Sequence, residues 1–121
     1  MLGLTMLSTD TACLALSTAS TTEEGERLGR ALVEEQLAAC VTVVPEARSI
    51  YRWEGAIESA GEALLLIKTT RERLEALEQR LLALHSYQTP EFLVFPIEAG
   101  AAAYLAWLTR SLRREAQSAP E

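Results

Sequence analysis

Residues 41–67 read VTVVPEARSIYRWEGAIESAGEALLLI, and this stretch decides the fold. Its first half holds two extended segments, Val41 to Val44 and Ile50 to Trp53, which are rich in β-branched and aromatic residues. Pro45 interrupts them, and a proline fits an edge strand or a bulge but not a central strand. The first half therefore predicts a long strand at the edge of a sheet.

The second half of the stretch predicts a return strand. Glu54-Gly55 is a turn signal between two apolar runs. The chain then returns through Ile57 and Leu64 to Ile67. The whole stretch predicts a β-hairpin with its tip at Trp53 to Ala56.

A strand and a helix are predicted ahead of the hairpin. Ala12 to Thr18 is a short, mostly apolar run, typical of a strand covered by helices, and it is the first ordered element we expect. Ser20 followed by Glu23 has the pattern of a capping box, which predicts that a helix starts there. Gly25 and Gly29 lie four residues apart, so this helix could approach a sheet closely.

A second amphipathic helix follows the hairpin. Thr69 with Glu72 predicts a capping box at its start, and 87–90, Tyr-Gln-Thr-Pro, predicts its end, because the residue before a proline avoids the helical region. Its apolar residues recur at helical spacing: Leu74, Leu77, Leu81 and Leu84.

A strand at Phe92 to Phe95, closed by Pro96, and a third helix complete the prediction. The third helix carries its apolar side chains on one face: Ala101, Tyr104, Leu105, Leu108 and Leu112. The tail from Arg113 is polar, and we expect it to fray.

The order strand, helix, strand, strand, helix, strand, helix predicts an α+β fold of the ferredoxin-like, split βαβ type with an added helix. In this topology the first and third strands are central and the second is an edge. At 121 residues the chain is long enough for one domain over 1–121, with an ordered core of about 11–112.

Composition narrows the class of function. The formal net charge of −6 disfavours nucleic acid as a partner. No apolar run approaches the ~20 residues that span a bilayer, so we expect no membrane segment. Cys13 and Cys40 would lie on non-adjacent strands, which predicts free thiols and a reducing, cytoplasmic location.

The length of the hairpin predicts self-association. Thr42 to Trp53 could reach ~40 Å when extended, whereas a helix of some fifteen residues covers only ~22 Å. The overhanging part carries Ile50, Tyr51, Trp53 and Ile57, and its edge strand leaves backbone groups unpaired. Neighbouring subunits could cover both; the alternative is a hairpin folded back over its own sheet.

Several motifs resemble those of the CutA divalent-cation-tolerance proteins, over about residues 14–112. They are 35–41 (EQLAACV), 49–55 (SIYRWEG), 67–70 (IKTT), 85–91 (HSYQTPE) and 104–108 (YLAWL). The resemblance implies a homotrimer similar in outline to the PII signalling proteins. It also implies a role in tolerance of divalent metals such as copper, and no catalytic reaction.

The resemblance is incomplete at the metal site. The bacterial copper pattern has a cysteine at the end of the first strand and two adjacent histidines after the second helix. Here the first position is Ser17, and the histidine pair reads Leu84-His85.

His85 is the one imidazole that could bind copper or zinc. Because one ligand does not hold a metal, Cys40 or Glu91 would contribute across a subunit boundary. The alternatives are that His85 caps a helix C-terminus and that Cys40 is a small buried residue.

Four further residues predict a small-molecule cleft or a subunit interface: Tyr51, Trp53, Lys68 and Tyr87. The rival to a metal-tolerance protein is a PII-like trimeric sensor or scaffold that binds a small anionic metabolite, although no Gly-rich phosphate loop is present. An enzyme has least support, since Cys40 with His85 is the only nucleophile–base pair to consider.

Overall fold

The computed structural model describes residues 6–9 and 11–113, and these form six strands and three helices. The strands are β1 (Met6–Ser8), β2 (Ala12–Ala19), β3 (Cys40–Trp53), β4 (Ala56–Thr70), β5 (Leu93–Pro96) and β6 (Ala99–Ala101). The helices are α1 (Thr22–Glu34), α2 (Leu74–Leu84) and α3 (Ala102–Ser111). Within these residues no helix is long and apolar enough to span a bilayer.

The main sheet has four antiparallel strands in the order β3-β4-β2-β5. The two strands predicted to be central, β2 and β4, are central, and β3 lies at the edge. With α1 and α2 in the crossover positions, this confirms the ferredoxin-like α+β prediction.

The hairpin is continuous from Cys40 to Thr70 apart from one irregularity. The register of β3 shifts between Val44 and Ala47, and Glu46 there has a φ of 62°. The bulge thus falls at Pro45, whose missing N–H could not have joined the ladder. At the tip, Glu54 and Gly55 have φ values of 49° and 84°, as a two-residue type I′ turn requires.

The N-cap of α1 is Thr21, one residue later than predicted. The Thr21 hydroxyl accepts a hydrogen bond from the Glu24 N–H at 3.0 Å. Ser20 is instead bound to the Glu24 carboxylate. The predicted capping box paired Ser20 with Glu23, but Glu23 is exposed. The glutamate that takes part in the capping contacts is Glu24, which is buried.

Two glycines let α1 lie close to the sheet, as predicted. A Cβ on Gly25 would lie 3.1 Å from Leu65 Cδ2, and a Cβ on Gly29 would lie 3.1 Å from Val41 Cγ1. The helix buries Leu28 and Leu32 beside these glycines.

The predicted capping box of α2 is wrong. The Thr69 hydroxyl donates to the Leu37 carbonyl at 2.8 Å, because Thr69 is fully buried on β4. A 3₁₀ turn, Arg71–Arg73, leads into α2 instead. The helix ends at Leu84, with His85 as C-cap, a little before the predicted end at residues 87–90.

The apolar stripe of α2 is confirmed at its centre. Leu77 and Leu81 are fully buried, while Leu74 and Leu84 at the two ends are half-buried. Leu77, Leu81 and Leu84 join the main core with Leu28, Leu32 and Leu65.

A second sheet was not predicted. β1 precedes the strand expected to be the first ordered element, and it pairs with β6, which also escaped prediction. Both strands have three residues, too few to show a period. The tail from residue 114 lies outside the described residues.

The third helix packs over one end of the main sheet. Leu105, Leu108 and Leu112 are buried against Ala12 and Ala39. Tyr104, which the prediction placed on the same inward side, is 45% exposed.

The close approach of α1 predicts a large effect of Gly29→Val. The new side chain would meet Val41, whose Cβ would lie only 3.2 Å from the new Cβ. We expect a loss of about 1–3 kcal/mol in the free energy of unfolding, measured by chemical denaturation at fixed protein concentration. Gly61→Val is the control, because nothing lies within 4 Å of a Cβ at Gly61; equal losses in both variants would refute the packing argument.

Candidate functional site

His85 lies at the corner where α2 ends and β2 leaves the sheet. Its side chain is completely buried. Its Nε2 lies 2.7 Å from the Thr18 carbonyl oxygen, and its Nδ1 accepts a hydrogen bond from the Tyr87 N–H at 3.0 Å. This pair of contacts fixes a neutral ring with the proton on Nε2. Both ring nitrogens are therefore occupied within the chain.

The carboxylate of Glu24 forms the centre of this corner. It accepts four hydrogen bonds, from the N–H and hydroxyl of Ser20 at 3.1 and 2.8 Å and from the N–H and hydroxyl of Ser86 at 2.9 and 3.0 Å. Its Oε2 also lies 3.7 Å from His85 Nδ1. No sequence pattern predicted this network, because Ser20 and Ser86, the two serines that bind the carboxylate, lie far apart along the chain.

These contacts determine how Glu24 titrates. Burial alone would raise the pKa of the carboxyl group, but the hydrogen bonds from Ser20 and Ser86 together outweigh it and lower the pKa to about 2. The network therefore holds a charged carboxylate in the interior at neutral pH.

A second carboxylate, Glu62, ties the same corner to the part of the hairpin beyond its bulge. It accepts hydrogen bonds from the Tyr87 hydroxyl at 2.7 Å and from the Ser49 hydroxyl at 2.6 Å. Burial and then the neighbouring Glu62 raise the pKa of Tyr87, so its hydroxyl stays protonated and acts as a donor. The Tyr87 ring also contacts His85, with ring centroids 4.7 Å apart.

The resemblance places Ser17 at the cysteine position of the bacterial copper pattern. Ser17 is fully buried, and its hydroxyl donates to the Glu91 carbonyl oxygen at 2.7 Å. Ser17, Thr18, His85 and Glu91 are thus neighbours within one chain. However, Glu91 contributes its backbone carbonyl to this contact, and the residue is exposed.

Cys40 lies elsewhere on the sheet. Its partner across the ladder is Lys68, whose own partner on β2 is Leu14, four residues from Thr18 and so about 13 Å along the strand. The Lys68 ammonium donates to Cys40 Sγ at 3.6 Å and to the Thr42 hydroxyl at 2.5 Å. Cys40 and His85 do not meet within one chain.

The remaining predicted cleft residues are spread along the hairpin. Trp53 is the last residue of β3 and is 61% exposed, and Tyr51 is 45% exposed. Tyr51 pairs with Glu58, ten residues from Lys68 along β4, or about 33 Å. Only Tyr87 joins the buried corner.

The three predicted metal ligands do not form a site within one chain. Among residues 6–9 and 11–113, no cluster of three or more His, Cys, Asp or Glu side chains could hold a metal ion. Both cysteines are free, and burial raises the pKa of the Cys13 thiol, consistent with its predicted place in the core. The assignment of His85, Cys40 and Glu91 as ligands stays a prediction.

The low pKa of Glu24 predicts acid sensitivity. The unfolded carboxyl group titrates near 4.5 and the folded one at about 2, so the stabilisation is complete above both values and is lost as the pH falls from about 5 towards 2, by about 3 kcal/mol in all. Unfolding free energies measured across this range should fall less steeply in Glu24→Gln than in the wild type. The exposed neighbour variant Glu23→Gln is the control; a wild-type slope in Glu24→Gln would contradict the assignment.

Comparison with known sequences identifies the same family as the sequence motifs do. Residues 13–111 match the family described as "CutA1 divalent ion tolerance protein". The divalent-cation tolerance protein CutA of Pectobacterium atrosepticum is 45% identical over 102 residues, covering 84% of this chain and 93% of that protein. Protein CutA, chloroplastic, of Arabidopsis thaliana is 45% identical over 91 residues, and the chain spans only 50% of its length.

Solved structures agree. CutA from Synechococcus elongatus superposes with a TM-score of 0.86 at 44% identity, covering 89% of this chain and 96% of that one. CutA1 from Thermus thermophilus gives a TM-score of 0.78 at 44% identity, covering 80% and 94%. The extent and identity of these matches show that the chain belongs to the CutA1 divalent ion tolerance family.

Proposed function

We propose that this protein works as a homotrimer in the tolerance of divalent cations, as a binding protein and not as an enzyme. The observation that carries the proposal is an apolar sheet surface that a single chain leaves uncovered. Family membership supplies the link to divalent cations.

The uncovered surface is the side of the main sheet opposite α1 and α2, called the open face below. Paired residues of antiparallel strands share a face, and on this one they are mostly large and apolar. Its apolar members are Leu14, Leu16, Val44, Leu64, Leu66, Leu93 and Phe95. Leu93 is 50% exposed and Phe95 is 46% exposed, and the others are half-buried or exposed.

The far end of the hairpin is a second uncovered region. Ile50 is 72% exposed and Ile57 is 63% exposed, together with Tyr51 and Trp53. These exposures are incompatible with a hairpin folded back over its own sheet. Because β3 is also an edge strand, its backbone groups can pair with another chain.

The size of these surfaces favours association. Fully burying a large apolar side chain is worth roughly 1.5–3 kcal/mol, and eleven such residues are available on the open face and the hairpin end. Several of them would offset the estimated association cost of 4–15 kcal/mol. The trimer, in place of another closed assembly, rests on the family resemblance.

For the metal part of the proposal, the donors limit what one chain can do. His85 could bind a cation only if Nε2 released the Thr18 carbonyl or Nδ1 released the Tyr87 amide. Cys40 is half-exposed and the Glu91 residue is exposed, so both can be reached from outside. We therefore propose that copper or zinc binds at subunit boundaries and that His85 shapes the corner and does not itself bind the metal.

The arrangement also supports a non-catalytic role. Nucleophilic catalysis needs a nucleophile in contact with a base, whereas Cys40 and His85 lie on separate parts of the fold. A cytoplasmic location is part of the proposal and rests on the free thiols.

The trimer predicts that a charge on the open face disrupts assembly. Phe95→Glu would bury a carboxylate against a neighbouring subunit, so we expect sedimentation equilibrium to give a mass below three times that of the 13.3 kDa chain. Leu82→Glu is the matched control, because Leu82 on α2 is similarly exposed at 44% but faces away from the open face. A wild-type protein that sediments as a monomer at micromolar concentration would refute the proposal.

The donor geometry predicts which variant affects metal binding. Isothermal titration of the assembled protein with Zn²⁺ and Cu²⁺ should give the same isotherm for wild type and His85→Ala, because both nitrogens of His85 are already bonded. Cys40→Ser should bind more weakly, because serine lacks the soft sulfur ligand. Loss of binding in His85→Ala, with the oligomer retained, would instead make His85 a ligand.

A further inference from the structure

A small cavity on the far side of the fold from the His85 corner gathers arginines. It has a volume of about 170 Å³ and lies where β4 passes into α2 and where α3 ends. Its basic and hydroxyl-bearing residues are Arg71, Arg73, Arg113, Thr11, Thr70 and Thr109. This set is called the arginine pocket below.

Backbone contacts hold the walls of the pocket together. The N–H of Arg71 donates to the Thr11 carbonyl at 2.8 Å, which fixes the turn before α2 against β2. The N–H of Arg113 donates to the Arg110 carbonyl at 3.3 Å and so continues the end of α3. The guanidinium groups therefore come from two segments some forty residues apart along the chain.

The charge of the pocket is opposite to that of the protein. The chain carries a formal charge of −6 with only 11 basic residues, yet three arginines line this one cavity. Among the described lining residues, Glu72 has the one carboxylate, and it is exposed. Within the described part of the chain, Arg73 and Arg113 take part in neither of the two ion pairs, which are Arg80–Glu35 and His85–Glu24.

Arg73 has a donor that the described residues leave unused. Its Nη2 donates to the Leu112 carbonyl oxygen and so satisfies the end of α3. Its Nε is buried and has no hydrogen-bond partner among the described residues. A buried donor on a charged group is costly when it is unpaired. The contact of Nη2 with the end of α3 does not satisfy Nε, so this cost remains.

We propose that the arginine pocket binds a phosphate group, either as inorganic phosphate or as the phosphate of a small phosphomonoester. Guanidinium groups present N–H donors that match phosphate oxygens, and those of Arg73 and Arg113, with nearby threonine hydroxyls, suit an anion. The volume accommodates a phosphate and a few further atoms, but not a whole nucleotide. None of the apolar residues named for the open face lines the pocket, and the proposal uses residues of one chain only.

The test is calorimetric titration of the full chain with inorganic phosphate and with glycerol phosphate at constant ionic strength. We expect saturable binding by the wild type that is weakened about tenfold or more in Arg113→Gln, since a hydrogen bond to a charged group is lost. Arg73→Lys keeps the charge but loses the paired donors and should also weaken binding. Arg30→Gln removes an equal charge from the exposed side of α1 and should bind as the wild type does.

The outcomes separate the sources of the phosphate. Tighter binding of glycerol phosphate identifies a phosphomonoester, and equal binding identifies inorganic phosphate. Arg113 makes only a backbone hydrogen bond among the described contacts, so its variant should fold even if Arg73→Lys does not. Equal affinity in Arg113→Gln and Arg30→Gln, or no saturable binding by the wild type, would overturn the proposal.

Discussion

The fold depends on two central strands that are apolar on both faces. On β2 and β4, Ala15, Leu65 and Ile67 point one way and are fully buried beneath α1 and α2, while Leu14, Leu16 and Leu66 point the other way. Strands of this kind need a layer of cover on each side. The chain supplies one complete layer, and α3 covers only the end of the second face near Ala12 and Ala39. The proposed trimer supplies the rest from other copies of the same sheet.

The buried corner around Glu24 has a mechanical role in this arrangement. One carboxylate joins the start of α1 to the loop after α2, and Tyr87 extends the connection through Glu62 to Ser49 on β3. The part of the hairpin beyond its bulge is therefore bonded to the body of the domain by side chains, in addition to its own ladder. In the proposed trimer, a hairpin that reaches a neighbouring subunit benefits from a fixed direction, because less conformational entropy is lost when it docks.

Local patterns in the sequence predicted most of the fold, and the misses have physical causes. Glu54-Gly55 and the glycines of α1 act through backbone conformation or close approach, so their positions alone identified the turn and the packed helix face. Pro45 predicted either an edge strand or a bulge, and β3 has both features. The capping-box patterns were less informative. Thr69 lies on a buried strand, so its hydroxyl donates to the Leu37 carbonyl and does not cap α2. The Glu24 network and the arginine pocket could not be predicted, since each joins segments that only the tertiary fold brings together.

The resemblance places Ser17 and Leu84 where the bacterial copper pattern has metal donors, and in this chain both residues serve the fold. The Ser17 hydroxyl bonds the Glu91 carbonyl, and His85 bonds Thr18 and Tyr87, so the corner satisfies its polar groups without any cation. Leu84, in the place of a second histidine, is half-buried and packs against the main core. A corner that is complete without a metal gives a cation little to gain there, which is why the proposed function places divalent cations at boundaries between subunits.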